Sequence, residues 1–218
     1  MAQSRRLPER RIAQLSFPEQ VDVRLIEQMR PWLQRPAARQ LGELGNLGDE
    51  PPLMGLSAAL LLGGILARKP AMQRAAIRMA LAHLIAIGLK EWGKNNVDRT
   101  RPDEQLNDGR YHMAKGHSRD ADLRSFPSGH TASALAVARA FSRDYPRYTK
   151  AVLAVAALIG VLQVPRRAHY PGDVLVGGVA GVVAEKLSSF IMERLGLGKV
   201  PKVVSRRLAG HHGSVKRL

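Results

Sequence analysis

Polar, proline-broken stretches alternate along the chain with five apolar segments. These run from Pro51 to Ala67, from about Ala75 to Leu89, from Thr131 to Phe141, from Ala151 to Pro165 and from Val174 to Met192. The first and fourth carry no charge. The second contains Arg78 and His83, the third Arg139, and the fifth Glu185 and Lys186. All are rich in Ala, Leu, Val and Gly, a composition suited to close helix packing in a bilayer. None reaches the roughly 18–20 uninterrupted apolar residues of a clear membrane span, and buried core helices have the same length. Small residues and scarce aromatics favour the membrane, where polar side chains inside a span face the bundle interior. The pattern predicts an all-α fold, a transmembrane helical bundle of about five apolar helices.

Residues 1–50 form a polar N-terminal segment. Leu25, Ile26, Met29, Trp32 and Leu33 recur at helical spacing, with Arg24, Glu27 and Arg30 on other faces, which predicts an amphipathic helix over Val21–Leu33. Pro31 weakens its end. Such a helix can pack on the domain or lie on a membrane surface. Gly42 to Pro52 reads as a linker, rich in Gly and closed by Pro-Pro. The expected division is 1–50, then a helical bundle over 51–193, then a basic C-terminal tail over 194–218. Arg5, Arg6, Arg10 and Arg11 resemble a basic leader, but no continuous apolar stretch follows them, so no secretory signal is expected.

Charge narrows the partners. Lys and Arg number 34 against 18 Asp and Glu, a formal net charge of +16, which favours an anionic partner: nucleic acid, anionic lipid or a phosphorylated substrate. Aromatic residues are only 5% of the chain, against a base-stacking surface, and no nucleic-acid partner is expected. There is no cysteine, which excludes disulfides and thiolate metal sites.

If each apolar segment crosses once, the loop between the second and third and the loop between the fourth and fifth lie on the same face. An antiparallel soluble bundle gives the same result. The opposite face holds Arg68, Lys69 and Arg74, then Arg143, Arg147 and Lys150, then the tail with Arg194, Lys199, Lys202, Arg206, Arg207, Lys216 and Arg217. By the positive-inside rule that face is cytoplasmic, and the two loops open to the extracytoplasmic side of a bacterial-type cell membrane.

Those loops carry three clusters. The first is Lys94 with Arg101-Pro102. The second is Ser125-Phe126-Pro127-Ser128-Gly129-His130. The third is Arg166-Arg167-Ala168-His169-Tyr170-Pro171-Gly172-Asp173. Hydrolysis of a phosphate ester without a metal needs cations for the nonbridging oxygens, a nucleophile, and an acid for the leaving group. Lys94 and Arg101 supply charge, and Ser128 a hydroxyl. Gly129 allows close backbone approach, and a helix starting near His130 aims N–H groups at an anion. His169 and Asp173 lie four apart and can meet on a helix or tight turn. A carboxylate on one ring nitrogen fixes the tautomer and leaves the other free.

Lys94-x6-Arg101-Pro102, Pro127-Ser128-Gly129-His130 and His169-x3-Asp173 resemble the three signature motifs of the type 2 phosphatidic acid phosphatase superfamily, over about residues 53–192. That superfamily includes membrane lipid phosphatases, soluble bacterial acid phosphatases and vanadium haloperoxidases. The resemblance implies metal-independent hydrolysis, without a cofactor, of a lipid phosphate or diphosphate of the phosphatidic acid, phosphatidylglycerol phosphate or polyprenyl phosphate type. It implies that His169 attacks phosphorus to form a phosphohistidine, Asp173 orients it, and His130 protonates the departing alkoxide. Lys94, Arg101, Ser128 and the Gly129 amide would hold the phosphoryl oxygens. One departure stands out: the third motif has an arginine six residues before its histidine, where this chain has Gln163. Arg166 and Arg167, three and four residues on, fall on the same face if the helix continues, and either could supply the missing guanidinium.

Other residues have plainer readings. His83 is a packed histidine. Arg110, His112, Lys115, His117 and Arg119 are mostly solvated, and His211 and His212 belong to the tail. Three alternatives remain at this level: a soluble acid phosphatase, a vanadate-dependent peroxidase with the same pocket, and a non-enzymatic basic module for membrane or nucleic acid. The last leaves the His/Asp spacing unexplained.

Overall fold

The computed structural model describes residues 6–198. The expected tail from Lys199 onward, with His211 and His212, lies outside these residues, as does Arg5. The helices are α1 (Glu9–Ile12), α2 (Phe17–Leu33), α3 (Pro36–Glu43), α4 (Glu50–Leu66), α5 (Pro70–Lys94), α6 (Pro102–Asp108), α7 (Gly129–Asp144), α8 (Thr149–Leu162) and α9 (Pro171–Arg194), with a 3-10 turn at Leu44–Gly48. Proline occupies the first turn of α2, α3, α4, α5, α6 and α9. There its missing N–H costs nothing and its fixed φ suits the helix start. Much of the helical phrasing is therefore written in the prolines.

Mostly helical as expected, the fold departs from all-α in the long α5–α7 connection. There β1 (Val97–Arg99) pairs antiparallel with β2 (Met113–Lys115), Val97 opposite Lys115. A connection this long must satisfy its own backbone groups, and this short ladder does part of that.

Helix α7 runs through the middle of the bundle. Its Ala132, Ala136 and Ala140 pack against Met79, Ala82 and Ala86 of α5 and Ala184 of α9. Its Ala134 and Ala138 meet Ala156 and Ile159 of α8. A Cβ on Gly177 would lie 2.4 Å from the Ser128 carbonyl oxygen, so glycine is what lets α9 cross the head of α7. Large side chains point outward instead: Leu56, Leu62 and Ile65 on α4, Val155, Leu158 and Val161 on α8, Leu175, Val179 and Phe190 on α9. Small residues inside and large apolar ones outside is the arrangement expected of helices packed in lipid. Among the described residues α5 and α9 are long and apolar enough to cross a membrane, and α4 is a shorter apolar helix; the other two apolar segments fall largely within α7 and α8.

At the end of the bundle where α5 begins, charges within and next to the segments pair with one another, while Lys186 stays exposed. Asp144 accepts from Arg74 at 2.6 Å and from Arg78. Glu185, fully buried, accepts from Arg143 at 2.8 Å and Arg139 at 3.1 Å. His83 is fully buried, and neither ring nitrogen has a partner among the described residues.

The N-terminal segment is part of this body. Helix α2 buries Val23, Ile26 and Leu33 against Leu106 and Tyr170, while Leu25 and Trp32 stay exposed. Arg30 leaves the polar face expected of it: it is buried, donating to the Leu106 carbonyl at 2.6 Å. Gly42 to Pro52 is no linker. It is the end of α3, the 3-10 turn and the start of α4, with Gly42, Gly45 and Gly48 buried. The glycines there serve close packing on the end of α8, which composition alone does not separate from flexibility.

Candidate active site

All three clusters lie at one end of the bundle, set by the C-terminal end of α5, the heads of α7 and α9, and the chain leaving α8. His169 is buried in the turn between α8 and α9. His130 is the second residue of α7, ahead of its apolar stretch. The two rings stand 6.1 Å apart, centroid to centroid. Lys94, Gly129, His130 and Ser133 line a small cavity of about 80 Å³ with Gly48, Asp49, Glu50 and Lys90.

The tautomer of His169 follows from one contact. Its Nδ1 lies 2.6 Å from the Ser125 carbonyl oxygen, which can only accept. Nδ1 therefore carries the hydrogen, and in the neutral ring the lone pair is on Nε2. Burial pushes the His169 pKa well below its usual 6.5, and the positive charges of His130, Arg101 and Lys94 push the same way. The ring is thus neutral at physiological pH, with Nε2 unprotonated.

Asp173 reaches His169 only indirectly. Its Oδ2 is 4.0 Å from Nδ1 and instead accepts from the Ser125 hydroxyl at 2.6 Å and the Tyr170 amide at 2.8 Å. Asp173 pins Ser125, and the Ser125 carbonyl holds the ring. Behind it stands Arg99, 2% exposed, donating to Asp173 at 2.5 Å and to Asp22 at 2.8 Å and lying 4.2 Å above the Tyr170 ring centroid. Asp22 closes the chain by accepting from the Gly172 amide at 2.8 Å. Sequence reasoning missed Arg99, Asp22 and the role of Ser125. Ser125 belongs to the second cluster and Arg99 falls in the gap between Lys94 and Arg101, but nothing in the spacing marks Arg99 as buried or links Asp22 to a turn 150 residues away.

His130 meets opposite signs on one nitrogen. Its Nε2 is 2.5 Å from an Asp49 carboxylate oxygen and 3.1 Å from Nη1 of Arg166. A protonated Nε2 donates to Asp49, and a bare one accepts from Arg166; it cannot do both. Burial lowers the His130 pKa, Asp49 opposes that, and Arg166 adds to it. Asp49, like Arg99 and Asp22, is a residue that the sequence reading did not single out.

The cations divide by partner. Lys94 has no carboxylate at ion-pair distance among the described residues. Arg101, N-cap of α6, donates from Nε to the Ala121 carbonyl at 2.8 Å. Burial lowers the Arg101 pKa, and the nearby Arg166 charge lowers it further. Arg166 faces His130, with Glu43 4.0 Å from its Nε. Arg167 turns away with a left-handed backbone, φ +61, and pairs with Asp103 at 3.1 Å. Gln163 is fully buried, donating at 3.2 Å to the Gly45 and Ile159 carbonyls, and so ties the 3-10 turn to α8.

Ser128 is the N-cap of α7, with its hydroxyl 2.9 Å from that of Thr131. The first amides of a helix have no partner within it, so those of Gly129 and His130 are available to an anion. A Cβ on Gly129 would sit 2.3 Å from Cδ of Lys90, whose stem crosses it to reach Glu50. The five loop residues Arg110, His112, Lys115, His117 and Arg119 are all exposed. No trio of His, Asp or Glu is gathered as a metal site among the described residues.

The arrangement is a helical bundle with two imidazoles and the cations Lys94, Arg101 and Arg166 gathered at one end. Residues 75–196 match the PAP2 superfamily. A lipid A 1-phosphatase of Rhizobium etli is 32% identical over 180 residues, 75% of this chain and 76% of that protein. Proteins of the same name from Rhizobium johnstonii and Porphyromonas gingivalis are 37% and 30% identical over 106 and 112 residues. The matches span 42% and 25% of those two relatives. The fold is similar to that of the crystal structure of Aquifex aeolicus LpxE, with TM-score 0.52 and 24% identity over 77% of this chain and 94% of that one. The chain belongs to the PAP2 superfamily, and the relatives it matches there are phosphatases.

Proposed function

We propose that the chain is a membrane lipid phosphatase that removes a phosphate carried at the anomeric position of a lipid-anchored sugar, the lipid A 1-phosphate type for which its relatives are named. The observation that carries this reading is the pair of imidazoles 6.1 Å apart, one with a defined free nitrogen, among Lys94, Arg101 and Arg166. Beside α7 an apolar groove of about 360 Å³, lined by Leu53, Leu60, Val137, Phe141, Val155 and Ile159, offers room for a hydrocarbon tail near the pocket. The basic residues at the end of the bundle away from the pocket, Arg68, Lys69 and Arg74 with Arg143, Arg147 and Lys150, favour an extracytoplasmic opening.

In this mechanism Nε2 of His169 attacks phosphorus, the ester P–O bond breaks, and the leaving oxygen takes the proton from Nε2 of His130. Water then attacks the phosphohistidine, giving a proton to His130. The P–N bond breaks, inorganic phosphate leaves, and both rings return to their starting states. Lys94, Arg101, Arg166, the Ser128 hydroxyl and the Gly129 amide hold the phosphoryl oxygens as charge moves onto them. The test is phosphate release in detergent, with EDTA present, from lipid A, phosphatidic acid, phosphatidylglycerol phosphate and polyprenyl diphosphate. Release from lipid A at the fastest rate is expected; preference for a glycerophospholipid or diphosphate would overturn the substrate assignment.

Arg166 takes the place of the arginine missing at Gln163, while Arg167 holds α6 through Asp103. Arg166→Ala is expected to lower kcat/KM by roughly 10²–10³-fold, the scale of losing one charge-stabilising donor. Arg167→Ala is expected to leave it within a few-fold of wild type. Equal losses in both would refute the division.

The pH profile follows from the two rings. His169 must be neutral, and its lowered pKa keeps it so into acid. His130 must be protonated, and its lowered pKa removes that proton as pH rises. The profile of kcat/KM, which reports the free enzyme, should peak on the acid side of neutrality and fall before pH 7. Asp49→Asn removes the influence that raises the His130 pKa, so the falling limb should move to lower pH. A limb unmoved by that change would show that Asp49 does not act on the proton.

A further inference from the structure

Helix α2 is apolar on two sides. Val23, Ile26 and Leu33 face the domain and are fully buried. Phe17, Val21, Leu25 and Trp32, also at helical spacing, form a second stripe on another side, with Phe17 78% exposed. Further apolar side chains are exposed next in the chain, Leu41 on α3 and Leu44 and Leu47 in the 3-10 turn after it. A soluble domain has no use for a second apolar stripe on a helix already docked by its first.

The position of this surface says what covers it. The 3-10 turn that carries Leu44 and Leu47 packs at the pocket end, through the Gly45 contact with Gln163 and the Asp49 contact with His130. At that end α5, long and apolar enough to span, finishes with Trp92, 70% exposed. Exposed Trp at the end of a span marks the level where headgroups meet hydrocarbon. The exposed apolar faces of α4 and α9 start at the same end, at Leu56 and Leu175. Arg24, Arg35 and Arg39 on the N-terminal segment are exposed and suit an anionic headgroup layer.

We propose that α2 and the turn after α3 form an interfacial collar, lying in the plane of the bilayer at headgroup depth around the mouth of the pocket. Phe17, Val21, Leu25 and Trp32 enter the acyl boundary, and the occupant of the stripe is lipid. The collar sets the depth at which a lipid phosphate meets Lys94 and Arg101. It rests on the reading that the bundle is embedded in a membrane.

The chain has two tryptophans, Trp32 and Trp92, which makes the test direct. The full chain is reconstituted in phosphatidylcholine vesicles with bromine on the upper acyl chain, as W92F to leave Trp32 and as W32F to leave Trp92. The collar predicts that Trp32 emits to the blue of free tryptophan, loses most of its emission to brominated lipid and resists aqueous iodide. Iodide quenching of Trp32 without lipid quenching overturns the collar. Resistance to both places protein over the stripe, a second copy included, and overturns it too. Trp92 is the control for embedding. Lipid quenching of Trp92 but not Trp32 sinks the collar alone, whereas quenching of neither by lipid sinks the membrane reading with it.

Discussion

His169→Ala should abolish phosphate release from a lipid phosphate while leaving the fold and substrate binding nearly intact. The expected loss in kcat is on the order of 10⁴-fold or more, the scale seen when a nucleophile is deleted. Binding should survive because Lys94, Arg101 and Arg166 do not depend on the imidazole. The scaffold should survive because the Asp22–Arg99–Asp173–Ser125 chain bonds the ring only at its last step, through the Ser125 carbonyl. His130→Ala should behave differently. A missing proton donor matters less when the leaving group is a weak base, so its defect should shrink on an aryl phosphate, whereas that of His169→Ala should not. Steady-state kinetics on a lipid phosphate and an aryl phosphate separates the two roles. A matching defect on both substrates for both variants would contradict the assignment.

Arg99→Ala should be the most destabilising single change among the arginines of this site. Arg99 stands between two buried carboxylates, Asp173 fully buried and Asp22 5% exposed, and over the Tyr170 ring. Its loss leaves two negative charges inside the protein with no cation, and breaking a buried pair in this way costs about 3–5 kcal/mol. Arg101, two residues on, makes the contrast. It lies among cations, where burial and Arg166 already disfavour its charge. Arg101→Ala should therefore leave thermal stability unchanged or raised while lowering turnover. Thermal unfolding in detergent of both variants checks this; a larger fall in Tm for Arg101→Ala than for Arg99→Ala would reverse the reading.

That pair also shows where the sequence stops being informative. Lys94-x6-Arg101-Pro102 gives Arg101 by its place in a motif, and the parity of the apolar segments brings it to the same end as His130 and His169. Both properties are local or topological, so both can be read from letters. Whether a guanidinium is buried between carboxylates depends on what α2 and the head of α9 bring to it, and that is a matter of tertiary packing. Asp49 and Asp22 were illegible for the same reason. They belong to a stretch whose composition suggested a polar segment and a linker, while the bundle uses its glycines for contact. The Gln163 departure was legible as a gap, and the choice between Arg166 and Arg167 was not. A single left-handed residue sends one toward His130 and the other toward Asp103. The β1–β2 ladder escaped because three-residue strands carry too few positions to show alternation.

The central claim is that phosphorus passes through Nε2 of His169. Rapid acid-free quenching of the wild-type enzyme during turnover of a lipid phosphate, followed by peptide mass spectrometry, tests it most directly. The account predicts a phosphoryl group on the peptide that contains His169, stable to base, lost in acid, and absent from the His169→Ala protein. A phosphoryl group found on Ser128 or His130 instead, or turnover at the wild-type rate by His169→Ala, would contradict it.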